Sequence, residues 1–118
     1  SLGMVASVTN LGRSGLYDWV IQRLTAVILA LYTLFLVGFV AASPDLQFAQ
    51  WQGLFAQTWM KVFSLAALMS ICGHAWVGMW TISTDYLKNA GVRFLFQLVC
   101  AGFLFVYLVW GIDILWSV

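Results

Sequence analysis

The sequence predicts an all-α membrane protein with three transmembrane helices, and three observations carry that expectation. Of its 118 residues, 64% are hydrophobic and only 8% charged, with mean hydropathy +0.98. A soluble domain carries charge on roughly a quarter of its residues, so the solvent that suits this chain is lipid. Its apolar runs are long enough to cross a bilayer, and polar, proline- or glycine-containing stretches separate them. Seven tryptophans, four tyrosines and nine phenylalanines suit membrane interfaces and close packing around a flat ligand. The formal net charge is +1, and no basic stripe offers itself to a nucleic acid.

The chain reads as one domain over residues 1–118, with spans at about 19–42, 60–82 and 92–116. Ser1, Leu2 and Gly3 precede Met4 and read as a cloning remnant, with Met4 as the native start. Residues 4–15 are polar and small. They hold neither the apolar core of a signal peptide nor the repeated arginines of a transit sequence, which favours a bacterial inner-membrane protein or a processed organellar one. Ser14 is the expected cap of the first span, with Asp18 in its first turn. The stretch Leu24 to Ala42 is 19 residues without a charge, close to the roughly 20 that cross a bilayer. Ser43-Pro44-Asp45 ends it. Proline cannot continue a helix, and the serine is placed to cap a new one with proline at its first position. Residues 44–58, with Gln47, Gln50, Trp51 and Gln52, read as a short interfacial helix and turn. Between the second and third spans, Ser83 to Gly91 reads as a short connection holding Asp85, Tyr86, Lys88 and Asn89.

Cys72 and Cys100 sit within apolar runs and read as small hydrophobes. There is no Cys-x-x-Cys pair, no zinc spacing and no Cys-x-x-Cys-His attachment motif. Basic residues set the expected orientation. Arg13, Arg23, Lys88 and Arg93 lie on one side of the membrane and only Lys61 on the other. The N-terminus and the Asp85-Tyr86 segment should face the cytoplasm, and the C-terminus the periplasm.

Three places could carry chemistry. His74 is the only histidine, roughly 12 Å deep from the cytoplasmic end of the second span at 1.5 Å per residue. A neutral imidazole in hydrocarbon needs a partner, which is either a hydrogen bond to a neighbouring helix or a metal or haem iron. Gly73 and Gly78 leave room beside it for a planar group or another helix, and Trp76 and Trp80 add a rigid aromatic wall. A haem ligated by two histidines would need its second from another polypeptide. Arg23, at a similar depth, either snorkels to headgroups or pairs with haem propionates. Asp85 falls roughly 20° past three full turns from His74 and about 16 Å along the axis, if the helix persists. Asp85 and Tyr86 read either as a helix-end charge and an aromatic-belt residue, or as the donor and proton relay of a quinone-head site. Asp113 and Lys61 should reach the outer interface.

Gly12-Arg13-Ser14-Gly15, Asp18-Trp19, Arg23, then His74-Ala75-Trp76-Val77-Gly78-Met79-Trp80 and Asp85-Tyr86 together resemble the small hydrophobic membrane-anchor subunit of bacterial succinate dehydrogenase, respiratory complex II. The likeness runs along essentially the whole chain from Met4. It implies a larger helical bundle with a second three-helix cytochrome b anchor, one b-type haem shared between the two, and an iron–sulfur subunit docked on them that carries a flavoprotein. FAD and the Fe–S clusters would belong to those partners, so the isolated chain is not itself the enzyme. The resemblance also implies His74 as a haem axial ligand, Arg23 near the haem propionates, and Tyr86 with Asp85 at the ubiquinone. Where a related bacterial sequence has a propionate-side histidine, this chain has Tyr17, which can donate one hydrogen bond but carries no positive charge. Two alternatives stand beside this reading: a haem-free fumarate reductase anchor with a structural His74, and a small transporter or channel subunit. No acidic residue lies at mid-membrane to couple ions, which weighs against the transporter or channel.

Overall fold

The computed structural model describes residues 15–118, which form four helices and no strand. These are α1 (Gly15–Ala41), α2 (Phe48–Ala56), α3 (Thr58–Tyr86) and α4 (Ala90–Trp116). Ser14 and Arg13, expected as a cap and as part of the charge balance, lie outside the described residues. Asp18 does sit in the first turn of α1, where an acid favours the helix dipole. The three long helices have span hydropathies of 2.4, 1.6 and 2.2, and each is long enough to cross a bilayer. At 1.5 Å per residue, 27 residues reach about 40 Å, longer than a hydrocarbon core of roughly 30 Å.

Lateral contacts fix the topology. Thr25, Tyr32 and Phe35 of α1 meet His74, Ser64 and Phe63 of α3, so α1 and α3 run antiparallel. Gln97, Leu104 and Gly111 of α4 meet Ser83, Cys72 and Leu68 of α3, so these two are antiparallel as well. Helix α3 is the centre, packed by α1 on one side and α4 on the other. Its lower hydropathy fits that place, because it gives the bundle its small and polar residues: Ser64, Ala67, Ser70 and Ser83 are buried, with Met60. Small residues let helix backbones approach closely where lipid provides no hydrophobic drive to association. Interhelical hydrogen bonds pin the bundle, among them Tyr32 Oη to Ser64 Oγ at 2.6 Å and Gln97 Nε2 donating to Ser83 Oγ at 2.9 Å.

The α1–α3 connection departs from expectation. Ser43 does not cap a helix with Pro44 at its first position. Residues 42–47 form turns and extended backbone, with Leu46 N–H donating to Ser43 O, and α2 begins at Phe48. Gln47 is its N-cap, and the Gln47 N–H is taken by Gln50 Oε1 at 3.0 Å. That side-chain acceptor, three residues on, satisfies a donor the serine cannot reach. Helix α2 has 9 residues, far too short to span, as the interfacial reading requires. Gln57 alone separates α2 from α3. Trp51, Phe55, Phe39, Phe35, Trp59 and Phe63 form a continuous chain of ring contacts that joins α1, α2 and α3 at this end.

Helix α3 runs four residues beyond its expected end at 82. Thr81 and Thr84 return their hydroxyls to Val77 O and Trp80 O, and Ser83 donates to Trp80 O. Hydroxyls satisfied by their own helix do not stop it. Asp85 and Tyr86 are therefore the last two residues of α3 rather than part of a loop. The true connection is Leu87 to Asn89, and the Asn89 side chain caps α4 through Val92 N–H at 3.0 Å.

Candidate functional site

The site residues lie along α3 and the facing edge of α1. His74 Nδ1 is 3.0 Å from Thr25 Oγ1 of α1. Thr25 is only 8% exposed, although it belongs to the span, and its hydroxyl also lies 2.7 Å from Ile21 O. A carbonyl can only accept, so the threonine proton goes to Ile21 and its lone pair faces the imidazole. Nε2, the other ring nitrogen, has no hydrogen-bond partner among the described residues. Among the described residues, His74 is therefore partnered through one ring nitrogen only. One nitrogen bonds a neighbouring helix, and the other remains available to a metal.

The two flanking glycines differ. A Cβ at Gly73 would find nothing within 4 Å, whereas at Gly78 it would face Gln22 Nε2 of α1 at 3.9 Å. Gly78 therefore serves the α1 contact, and Gly73 leaves open space beside the histidine. Trp76 and Trp80 do touch, with ring centroids 5.5 Å apart. Among the described residues no group of three or more His, Cys, Asp or Glu side chains could hold a metal ion. His74 is a single potential ligand and not a self-contained metal centre.

Arg23 is not brought to His74. Two residues from Thr25 on one helix is about 200°, so Arg23 lies on the far side of α1, exposed, with its guanidinium 5.1 Å from the Trp19 ring centroid. Tyr17 is 43% exposed near the start of the same helix. On the Thr25 face, one and two turns towards the start of α1, Gln22 and Asp18 each keep a buried side-chain oxygen without a hydrogen-bond partner among the described residues.

Asp85 and Tyr86 complete the row. Since α3 is continuous from Thr58 to Tyr86, the condition for a shared face is met: Asp85 is about 16 Å along the axis from His74 and near its azimuth. Tyr86 is 78% exposed, and Asp85 is exposed too. Neighbouring residues on a helix diverge by about 100°, and no hydrogen bond joins the two side chains. Asp85 also sits at the helix end where the dipole disfavours an acid, so helix stability does not account for it. One turn earlier, Ser83 is fully buried and bonded to Gln97, which ties this end of α3 to α4.

Comparison with known proteins then decides the class. A family model described as the succinate dehydrogenase/fumarate reductase transmembrane subunit matches residues 5–112. The chain belongs to that family. It is 39% identical over 109 residues to the succinate dehydrogenase hydrophobic membrane anchor subunit of Coxiella burnetii, covering 92% of this chain and 95% of that one. It is 31% identical to the subunit of the same name from Rickettsia bellii, over 75% of this chain and 70% of the relative. The Rickettsia felis subunit is 28% identical over 75% and 73%. The chain is thus a multi-pass membrane anchor of the succinate dehydrogenase type. The transporter or channel alternative falls away.

The sequence did not point to Thr25, Gln22 or the Ser83–Gln97 bond. A threonine in a mostly apolar run was the available signal for Thr25, but Thr33 shares it, and the pairing with His74 depends on the α1–α3 register.

Proposed function

We propose that this subunit anchors succinate:ubiquinone oxidoreductase in the bacterial inner membrane, contributes one axial ligand to a b-type haem, and forms part of the ubiquinone-reduction site. The observation that carries the reading is the continuity of α3, which holds an imidazole with a bare nitrogen and, about 16 Å on, an exposed acid and phenol. The residues present fit a haem. His74 offers Nε2, Gly73 leaves space, and Trp76 and Trp80 provide a flat wall. Arg23 and Tyr17 are the propionate-side residues that the resemblance implies; Arg23 lies on the side of α1 away from Thr25, so it would reach such a group only around that helix. Haem, when bound at His74, would supply a one-electron store.

At the quinone, Tyr86 donates its O–H to a carbonyl oxygen and orients the ring. Asp85 holds or passes on a proton from the aqueous side. Reduction to quinol consumes two electrons and two protons, and the electrons come from an iron–sulfur subunit fed by a flavoprotein that oxidises succinate. The second haem ligand comes from a second anchor subunit. Leu34, Phe105 and Trp110, each more than 60% exposed, lie on surface that lipid or such a partner covers. The N-terminus and the Asp85-Tyr86 end face the cytoplasm, beside Lys88 and Arg93, and the C-terminus faces the periplasm. There Lys61 Nζ reaches Val118 O at 3.4 Å, near the Trp116 ring, and Asp113 is exposed in the last turn of α4.

The test is Tyr86→Phe in the purified complex. Quinone reduction should fall while subunit assembly is unchanged. Unchanged reduction removes Tyr86 from the site. The second reading, a haem-free fumarate reductase anchor, predicts no reduced b-type absorbance bands in the same preparation.

A further inference from the structure

Three atoms around one threonine fix more than a contact. Thr25 Oγ1 lies 2.7 Å from Ile21 O, 3.3 Å from Gln22 O and 3.0 Å from His74 Nδ1. A hydroxyl has one proton and two lone pairs. If that proton pointed at Nδ1, two oxygens would face each other at 2.7 Å with nothing between them. The proton therefore lies towards Ile21 O, and Nδ1 must carry its own proton and donate to Oγ1. The order is His74 N–H to Thr25 O–H to the Ile21 carbonyl, and each bond polarises the next. A neutral imidazole protonated at Nδ1 is bare at Nε2.

We propose that Thr25 is a positioning residue: its hydroxyl locks His74 into the Nδ1–H tautomer, holds the ring's rotation, and makes Nε2 a more basic ligand for the haem iron. This rests on the haem reading given under the proposed function. Two features distinguish the role from ordinary packing. Thr25 is buried at 8% exposure on a helix whose other contacts with α3 include the Tyr32–Ser64 bond and a cluster of aromatic rings, so its hydroxyl is not needed merely to join the helices. Its acceptor role is also forced by geometry rather than optional. Ligand histidines commonly donate their second N–H to a carbonyl or carboxylate. Here the acceptor is a hydroxyl already polarised by a helix carbonyl.

The experiment uses the assembled complex with three variants, Thr25→Val, Thr25→Ser and His74→Leu, each checked for subunit content. Valine keeps the shape and loses the hydroxyl; serine keeps the hydroxyl and loses a methyl. Haem per complex and the haem midpoint potential are the readouts. Loss of the acceptor should weaken haem retention by roughly 10–100-fold. It should also raise the midpoint potential, because a less basic ligand stabilises ferric iron less. A tenfold preferential loss of the ferric form reads as about 59 mV for a one-electron couple. Thr25→Ser should stay near wild type. If Thr25→Val does not assemble, Thr25→Ala takes its place, with the same expectation. A valine or alanine variant with wild-type haem content and potential overturns the role of Thr25 alone. So does a serine variant damaged as badly as valine, since that would make the effect one of packing. A wild-type complex without b-type bands, or bands indifferent to His74→Leu, overturns the ligand reading itself and this inference with it.

Discussion

The Ser83–Gln97 bond should set how firmly the quinone-facing end of α3 is held. Gln97 Nε2 donates to Ser83 Oγ at 2.9 Å, Ser83 is fully buried, and Tyr86 lies three residues on. Removing Gln97 by Gln97→Leu takes away one donor, while Ser83 keeps its own bond to Trp80 O at 3.0 Å and is not orphaned. Removing Ser83 by Ser83→Ala strands the Gln97 amide inside the membrane. The single changes should therefore be unequal, with Ser83→Ala the costlier. The coupling between them should be about 0.6 kcal/mol, the mean for interhelical side-chain bonds in membranes, with a ceiling near 1.7. The mean corresponds to a factor of about three in an equilibrium constant. A double-mutant cycle on the complex in mixed micelles, by equilibrium denaturation, measures the coupling. Quinone KM in the same variants should rise by a similar small factor, because a looser last turn no longer holds Tyr86 in place. Additive single effects, or coupling with no change in quinone KM, would refute the reasoning.

Other consequences are as direct. Gly111→Val should destabilise the α3–α4 contact by about 1–3 kcal/mol, because a Cβ there would lie 2.6 Å from Leu68 Cδ2; adding Leu68→Ala should recover part of the loss in the same denaturation assay. Gly73→Ala should leave the fold intact, as no other element among the described residues comes within 4 Å of the new methyl, yet should lower haem content if the planar group packs there. Tyr32→Phe and Ser64→Ala break one 2.6 Å bond, so the double variant should be little worse than the more damaging single one. Tyr86→Phe should cut quinone reduction with assembly unchanged, measured as succinate-dependent quinone turnover.

Much of this was legible in the sequence, and what was not has physical causes. The three spans followed from hydropathy, and α2 followed as an interfacial helix because its run is too short to cross. Helix ends were less legible, since hydropathy marks the edge of the lipid and hydrogen bonding marks the edge of the helix. Ser83 and Thr84 fell within the expected connection, yet their hydroxyls bond back to Trp80 O and the helix continues to Tyr86. Ser43-Pro44 looked like a cap, but Gln47 and Gln50 form the cap instead, because a glutamine three residues on can reach the first N–H. The single histidine and the acid–phenol pair were visible as candidates from their chemistry. The partners of His74 and Ser83 were not, because Thr25 is 49 residues from His74 and only the register of packed helices brings them together.

The most direct measurement is a reduced-minus-oxidised absorbance spectrum of the complex co-purified through this subunit in mild detergent, with its subunits identified, for wild type and His74→Leu. The wild-type preparation should hold a flavoprotein, an iron–sulfur protein and a second anchor, with b-type bands that His74→Leu shifts or abolishes. A complete complex without those bands, or with bands unchanged by the substitution, would contradict the haem reading.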